Sequence, residues 1–458
     1  MNNFFQKYIP SPFTIALLLT GFTFFMALII TKPIETGYVD YAVKLAMDWQ
    51  KGLWDTSSGG LYFGFQMMLI LILGHCLALT PFVERLITKL LFFCHDTASS
   101  AFTVAMSTMI VSYFNWGMGL IFGALLARKV GEKFSKHGNE LNYGLIGAAA
   151  YSGMLIWHGG ISGSAPTKAM EENSISAMME NAGYAVNSQI PSSVPFEDTL
   201  FSSLNITTTL VMLLIVPLTL YYIGKRTHGH AIPILPITEK PPYPLQEKKR
   251  ISLDRSQWFG AGTGVLFLIV AFMVAWNYEG TTSTGFISVN FINFTLLGLA
   301  LFLHGSIRSF LSGIEHSISD ASGILIQFPL YFGIMGIMSG SGLIQEISMF
   351  LTASSNTSTF PILSFISAGV VNFFVPSGGG QWYIQGPMLI QAAQEIGVSI
   401  PKTIMALSYG DQWTNMLQPF WALPLMGITK LKAGELLPYT FILFLIGGVV
   451  FVSALLVF

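Results

Sequence analysis

Asn115-Trp116-Gly117-Met118-Gly119 and Pro376-Ser377-Gly378-Gly379-Gly380-Gln381 are glycine-rich tips, each of which ends one apolar segment and opens another. Polar residues break the sequence again in the apolar segment that follows each tip. Backbone at membrane depth must satisfy its own polar groups unless it lines a cavity or is buried in protein. Paired interruptions at corresponding places in two halves therefore mark where a polar solute is held.

The composition places those tips in a membrane. The chain has 458 residues, 52% of them hydrophobic and only 10% charged, where soluble domains carry about a quarter charged residues; mean hydropathy is +0.61. A soluble protein would need a very large core and would leave long uncharged runs unexplained. With 22 basic and 23 acidic residues the net charge is −1, and no basic cluster suggests nucleic acid. Cys76 and Cys94 sit in or beside apolar runs and read as small buried hydrophobes. The run from Pro12 to Ile30 is too long for a signal-peptide core and reads as the first membrane helix.

Uncharged stretches of about 20 residues predict membrane spans. They run over Phe13 to Ile30, Leu61 to Phe82, Leu141 to Trp157, Thr199 to Ile223, Trp258 to Trp276, Phe286 to Leu303, Ala321 to Ser339, Ile404 to Leu425 and Leu436 to Phe458. Leu86 to Phe93, between Arg85 and Asp96, is short enough to lie at the interface, and Tyr38 to Trp54 reads as an amphipathic helix on the outer surface. Two further arms, Ala101 to Phe114 and Pro361 to Val375, have 14 and 15 residues. At 1.5 Å rise they reach roughly 21 to 23 Å, short of a core of about 30 Å. Each ends at its glycine tip and returns, through Leu120 to Arg128 and Trp382 to Gln394, as a re-entrant hairpin.

Loop charges set the orientation. The connection 225–256 carries Lys225, Arg226, Lys240, Lys248, Lys249, Arg250 and Arg255, which places it in the cytoplasm, whereas Glu171 to Asp198 is acidic and falls outside. Arg85, Lys89, Arg128, Lys129, Lys133 and Lys136 flank the first hairpin, so it enters from the cytoplasm; counting spans onward, the second enters from the outer face. That opposition is the signature of inverted-topology repeats. The tips lie 261 positions apart, from Gly117 to Gly378, and the next break follows 36 positions after Gly117, at Gly153, and 32 after Gly378, at Gly410. Tyr151-Ser152-Gly153 with Trp157 also echoes Tyr409-Gly410 with Trp413.

The predicted architecture is an all-α polytopic membrane protein of two inverted repeats, each with a re-entrant helical hairpin and a discontinuous transmembrane helix. The N-terminal half is 1–224, with its hairpin near 101–129 and its broken helix near 141–167. A cytoplasmic linker with Pro233, Pro236, Pro241, Pro242 and Pro244 occupies 225–256. The C-terminal half is 257–458, with its hairpin near 360–395 and its broken helix near 401–425.

The chemistry concentrates at the tips and breaks. From Ser152 to Thr167, glycines and Pro166 disrupt the helix, and an unwound helix leaves amides and carbonyls free. Its counterpart, Ser408-Tyr409-Gly410-Asp411-Gln412-Trp413-Thr414-Asn415-Met416-Leu417-Gln418-Pro419, sets amides, a hydroxyl and one carboxylate in an apolar run. A charge at that depth is costly, which makes Asp411 a functional candidate against the alternative of a half-helix cap. His158 reads either as a satisfied core histidine or as a proton-linked or carboxylate-binding group. Asn115 and Ser377 read as functional because a simple turn needs only the glycines, whereas Trp116, Trp382 and Trp413 read as packing or interfacial anchors.

The run Val371-Asn372-Phe373-Phe374-Val375-Pro376-Ser377-Gly378-Gly379-Gly380-Gln381-Trp382, with Gln385-Gly386-Pro387 and Ser408 to Asn415 after it, resembles the bacterial short-chain fatty acid transporter family. Ser112-Tyr113-Phe114-Asn115-Trp116-Gly117 is similar to the same family, and the resemblance covers essentially the whole chain. The family is similar in turn to the wider ion transporter superfamily, where paired hairpins and discontinuous helices hold an anion with its coupling cation. The resemblance implies cation-coupled symport of a short monocarboxylate, such as butyrate or acetoacetate, across a bacterial inner membrane.

The residue types suit that substrate. Half-helix N-termini and free amides hold an anion without a buried arginine. The expected substrate contacts are Asn115, Gly117, Ser152, His158, Ser162, Ser377, Gly378, Gly379, Thr414 and Asn415, with Met154, Trp157 and Phe374 facing a short acyl chain. The expected ion-coupling groups are Asn115, Ser377, Asp411 and Asn415; oxygen ligands would suit Na⁺, while Asp411 or His158 would suit a proton. No organic cofactor or structural metal is expected. The partners are a small carboxylate and the lipid bilayer, with a homodimer left open. No nucleophile and base pair, metal-ligand cluster or nucleotide-binding P-loop argues for an enzyme or an ATP-driven pump. A channel leaves the paired broken helices without a purpose, and a carrier of another organic anion, such as a dicarboxylate, is the main alternative.

Overall fold

Two hairpins enter the molecule from opposite ends and meet at its middle. The computed structural model describes residues 12–54, 60–182, 184, 190–227, 229–231, 253–279, 286, 288–318, 322–352, 355–374, 378–418 and 421–458. Ser377, Pro376 and the five linker prolines lie outside the described residues. The described chain is almost entirely helical, with one two-residue antiparallel pairing, Glu140–Leu141 with His230–Ala231.

In chain order the helices are α1 Pro12–Ile30, α2 Tyr38–Trp54, α3 Gly60–Ala78, α4 Pro81–Leu91, α5 Thr97–Phe114, α6 Trp116–Lys136, α7 Tyr143–Tyr151, α8 Ser164–Met170, α9 Ser174–Asn181 and α10 Ser203–Arg226. They continue as α11 Gln257–Trp276, α12 Val289–His304, α13 Ile307–Ser317, α14 Ser322–Ser341, α15 Leu343–Thr352, α16 Phe360–Phe374, α17 Gly378–Ile396, α18 Ile400–Thr414, α19 Leu423–Thr429 and α20 Ala433–Val457. Helices α5 and α6 are the first hairpin and α16 and α17 the second. The arms of the first are longer than its apolar runs, because Asp96 starts α5 ahead of them and the charged stretch through Lys136 extends α6 beyond them. Among the described residues, α10, α11 and α20 are each long and apolar enough to cross a membrane alone. The expected span Leu61 to Phe82 is instead α3 bent by 74° into α4, with Pro81 at the start of the second piece.

Contacts along the chain give the hairpins their direction. At the open end of the first, Asn142 N donates to Thr97 Oγ1 at 3.2 Å, and Lys133 Nζ donates to Leu91 O at 2.9 Å and Cys94 O at 2.7 Å. Its tip reaches the first break, where Ile161 N donates to Tyr113 O at 2.8 Å. The second hairpin has its open end in an apolar cluster where Leu389, Ile390 and Ala393 pack with Ile175, Met178 and Met179 of the acidic segment. Its tip also reaches the first break. Basic and acidic segments thus lie at opposite ends, and one hairpin comes from each.

The halves interlock elsewhere too. Lys44 of α2 donates to Gly340 O of α14 at 2.7 Å, and Cys76 Sγ of α3 lies 3.3 Å from His304 Nε2 at the end of α12. Arg128 of α6 donates to Ile428 O of α19 at 2.7 Å, and Asn142 donates to Tyr439 Oη of α20 at 2.6 Å. Both cysteines are buried and free.

Each broken helix lies against its own hairpin at a glycine. A Cβ on Gly153 would overlap Ser112 and Thr108 of α5, and one on Gly410 would overlap Phe365 O and Ala368 of α16. Only glycine allows that approach, and it recurs in both halves.

At the open end of α5, Asp96 accepts from Ser99 N at 2.7 Å in a reciprocal capping box and takes a hydrogen bond from Lys225 Nζ at 3.0 Å, which ties the end of α10 to the hairpin. Burial alone would raise this carboxyl, but the Ser99 amide and hydroxyl and the Lys225 ammonium outweigh it and pull it from 3.8 down to about 2. The stabilisation is therefore complete above the unfolded value and is lost as pH falls from 3.8 towards about 2. Asp96→Ala should cost about 1 kcal/mol in thermal unfolding of the detergent-solubilised protein at neutral pH. The difference from wild type should stay constant between about pH 5 and 8 and shrink only in strong acid.

Candidate functional site

Both breaks are short 3-10 turns set between helices. After α7 the chain makes Ser152–Leu155 and Trp157–Gly159 before α8 resumes, and after α18 it makes Asn415–Leu417 before α19. Interrupting a helix frees main-chain groups, and much of what is freed is taken up by the other half. Gln412 Oε1 of α18 accepts from His158 N at 2.9 Å and Gly159 N at 3.2 Å. Tyr151 of α7 donates to Asn415 O at 2.9 Å and Gln418 O at 3.3 Å. Tyr409 of α18 donates to Asn205 Oδ1 at 3.0 Å, and Asn205 Nδ2 in turn donates to Gly159 O at 2.8 Å.

His158 lies at the junction with no solvent exposure. Ala165 N donates to its Nε2 at 2.9 Å. A backbone amide can only donate, so in the neutral ring the proton sits on Nδ1. That nitrogen is 3.1 Å from Asp411 Oδ1, close in distance but off the line of a well-directed hydrogen bond. Trp157 stacks on the imidazole with centroids 4.4 Å apart and planes 18° apart. The second hairpin begins here as well: a Cβ on Gly378 would lie 2.8 Å from His158 Cε1 and 3.0 Å from Trp157 Cη2. Gly378 opens α17, so its N-terminus sets partial positive charge beside the pair.

A polar cluster backs Asp411. The two N–H groups of Asn372 Nδ2 of α16 are shared among Asp411 O at 2.7 Å, Asn415 Oδ1 at 2.9 Å and Thr414 Oγ1 at 3.0 Å, and Gln418 Nε2 donates to Asn372 O. Among the described residues, Asp411 Oδ2, Asn372 Oδ1, Gln418 Oε1 and Asn415 Nδ2 are buried without a hydrogen-bond partner. Three of those four atoms are acceptors, so the cluster has spare capacity for a cation or a proton.

Residues 1–458 match the family described as Short chain fatty acid transporter. A protein of Escherichia coli K12 that carries the provisional name short-chain fatty acid transporter is 34% identical over 467 residues, covering 100% of this chain and 98% of its own length. A Haemophilus influenzae protein of the same provisional name is 33% identical over 449 residues, covering 96% of this chain and 94% of its own. The chain belongs to the short-chain fatty acid transporter family. It is thus a multi-pass membrane transporter rather than an enzyme. Its fold is similar to that of Neisseria gonorrhoeae MtrF, described as illuminating a class of antimetabolite efflux pumps, with a TM-score of 0.51 at 14% identity over 98% of this chain and 95% of that one.

In the transporter, the residues expected at the site divide by task. His158, Asp411 and Gly378 converge, and Thr414 and Asn415 join them through Asn372. Gly379 sits near the first break, where a Cβ would lie 3.9 Å from Ser164 Cβ. Asn115 Oδ1 instead caps α6 by accepting from Met118 N at 2.8 Å, and Ser162 Oγ accepts from Trp116 N at 3.0 Å, so both organise the first tip. Ser152 Oγ donates within its own turn to Ala149 O at 2.8 Å, and a Cβ on Gly117 would overlap Ile70 of α3. Phe374 stacks on Phe22 of α1 at 6.0 Å. Asn372, Asn205, Gln418 and Trp421 are the additions that the fold reveals. Two of them had a local signal: Asn372 is a lone amide near the end of an apolar arm, and Gln418 belongs to the polar-interrupted stretch Ser408 to Pro419.

Gly378→Ala forces His158 or Trp157 to move, and overpacking of this kind costs about 1–3 kcal/mol, so fatty-acid uptake should fall about tenfold or more. Gly379→Ala meets only ordinary van der Waals contact and should transport like wild type. Uptake into proteoliposomes, normalised to reconstituted protein, measures both.

Proposed function

We propose that this transporter is a secondary carrier of short monocarboxylates, such as butyrate or acetoacetate, in a bacterial inner membrane. It works by alternating access between its two inverted halves and couples uptake to a cation at His158 and Asp411. The observation that carries this reading is the 3.1 Å contact between a fully buried histidine of the first break and a nearly fully buried aspartate in α18, one turn ahead of the second. With the imidazole neutral and the carboxylate ionised, the pair holds one negative charge; taking up one proton neutralises it. A neutral pair is far cheaper to carry through a low-dielectric interior than a charged one, so proton binding favours the rearrangement that exposes the site to the other side. The N-terminus of α17, seated on His158, supplies the electrostatic attraction for the carboxylate of the substrate.

Sodium is the second reading, and a specific observation favours it. Asp411 Oδ2, Asn372 Oδ1 and Gln418 Oε1 are buried oxygens without donors among the described residues, the ligand type that a hard cation takes.

Uptake of labelled butyrate and acetoacetate into proteoliposomes, under separately imposed proton and Na⁺ gradients, tests both readings. A proton carrier accumulates substrate on the pH gradient alone. Asp411→Asn should then abolish gradient-driven accumulation and leave downhill exchange of butyrate intact. If Na⁺ is the ion, the same variant raises the Na⁺ concentration for half-maximal uptake. Ordinary accumulation with unchanged ion dependence removes Asp411 from the mechanism, and failure of wild type to move any short carboxylate overturns the substrate class.

A further inference from the structure

Three indole rings meet where the halves join. Trp116 opens α6 at the first tip, Trp157 lies in the first break, and Trp421 follows the second. Their centroids are 5.8 Å apart for Trp116 and Trp157, 5.2 Å for Trp116 and Trp421, and 6.5 Å for Trp157 and Trp421, and all three residues are buried. Each ring is held by a different element, one of them from the other half of the chain.

Buried indole N–H groups normally find an acceptor, because leaving one unmade costs about 1–3 kcal/mol. Trp413 follows that rule and donates to Phe444 O at 2.7 Å. Trp157 does not: at 2% exposure, its Nε1 has no partner among the described residues. Its six-membered ring faces Gly378 through Cη2, and its plane stacks on His158, so the rotamer is held by neighbours while the N–H stays unsatisfied. An unpaired donor fixed beside a proposed coupling pair, in a wall of aromatic carbon, has the chemistry of a receptor for an anion with a short apolar tail.

We propose that the Trp157 indole N–H donates to the carboxylate of the transported acid, and that Trp116 and Trp421 form the wall that limits its acyl chain. This assignment rests on the reading of the protein as a carrier of short monocarboxylates. The stack on His158 places bound carboxylate close to the coupling pair, so anion and cation sites touch through one aromatic face. Indoles are rigid and large, and a wall built from two of them yields little to extra methylene groups, each of which is worth about 0.8 kcal/mol when buried.

Two variants read the two parts separately. Trp157→Phe keeps a ring to stack on His158 and removes the N–H together with part of the fused ring system that faces Gly378. Butyrate binding to the purified protein by calorimetry, and the half-saturation concentration for butyrate uptake, should both weaken about tenfold, as expected for losing one hydrogen bond to a charged group. Maximal uptake rate should stay at wild type, as should the ranking of butyrate over octanoate, while the melting temperature falls by only the few degrees that the lost ring atoms cost. Trp421→Ala should instead change that ranking, improving octanoate relative to butyrate by about tenfold or more. A folded Trp157→Phe protein with wild-type butyrate affinity overturns the donor, and a folded Trp421→Ala protein with unchanged chain-length ranking overturns the wall. If Trp157→Phe fails to fold, the donor is read in wild-type protein by NMR, where butyrate should shift the Trp157 indole N–H proton signal and an unmoved signal overturns the donor. Wild-type protein that binds none of these acids overturns the carrier reading, and this assignment with it.

Discussion

Main-chain polar groups freed by the two helix breaks have no water to turn to in an apolar interior, and the rest of the structure follows from how they are satisfied. The solution is reciprocal. Gln412 of the second half holds the amides of His158 and Gly159, Tyr151 of the first half holds the carbonyls of Asn415 and Gln418, and Tyr409 reaches Gly159 O through Asn205. Neither break is closed by its own half alone. A hydrogen bond lost here leaves a buried group unpaired, which costs about 1–3 kcal/mol, so the halves are bound to each other at the depth where solute must cross. The matched glycines Gly153 and Gly410 serve the same end by letting each broken helix lie directly on its hairpin.

The backbone is inverted, but the side chains are not symmetric. The first half brings His158, Trp157 and Trp116 to the junction, while the second brings Asp411, Asn372 and Gln418. Aromatic surface and a titratable ring thus face a carboxylate embedded in amides. Halves that bring different chemistry to one junction suit the carrier proposed above, in which an anion and a coupling cation are held in one place. The off-line geometry of the contact between His158 and Asp411 fits a pair that tightens or loosens with small movements of the breaks.

Much of this was legible in the sequence, because membrane constraints act locally. Glycine tips, short arms and charge flanks depend on neighbouring residues, and they gave both hairpins, both breaks and Asp411. Partners that reach across the fold left no such mark. Asn205 is one polar residue among the hydroxyls at the start of α10, and only the fold brings it between Tyr409 and Gly159. Trp421 stands out in no sequence motif, and only the second break folds it onto Trp116. Asn115 shows the converse: its place at the tip suggested solute contact, whereas the free N-terminus of α6 claims its side chain as a cap. Hydropathy likewise overran the end of α3, because apolar residues continue past the Pro81 bend.

The central claim is that two oppositely inserted hairpins meet at one buried junction. The most direct test is the sidedness of single cysteines placed at the exposed positions Lys136, at the open end of the first hairpin, and Thr357, just before the second. With a membrane-impermeant maleimide on oriented vesicles, the account expects Lys136→Cys to label only from the cytoplasmic side and Thr357→Cys only from the outside. Labelling of both from the same side would contradict it.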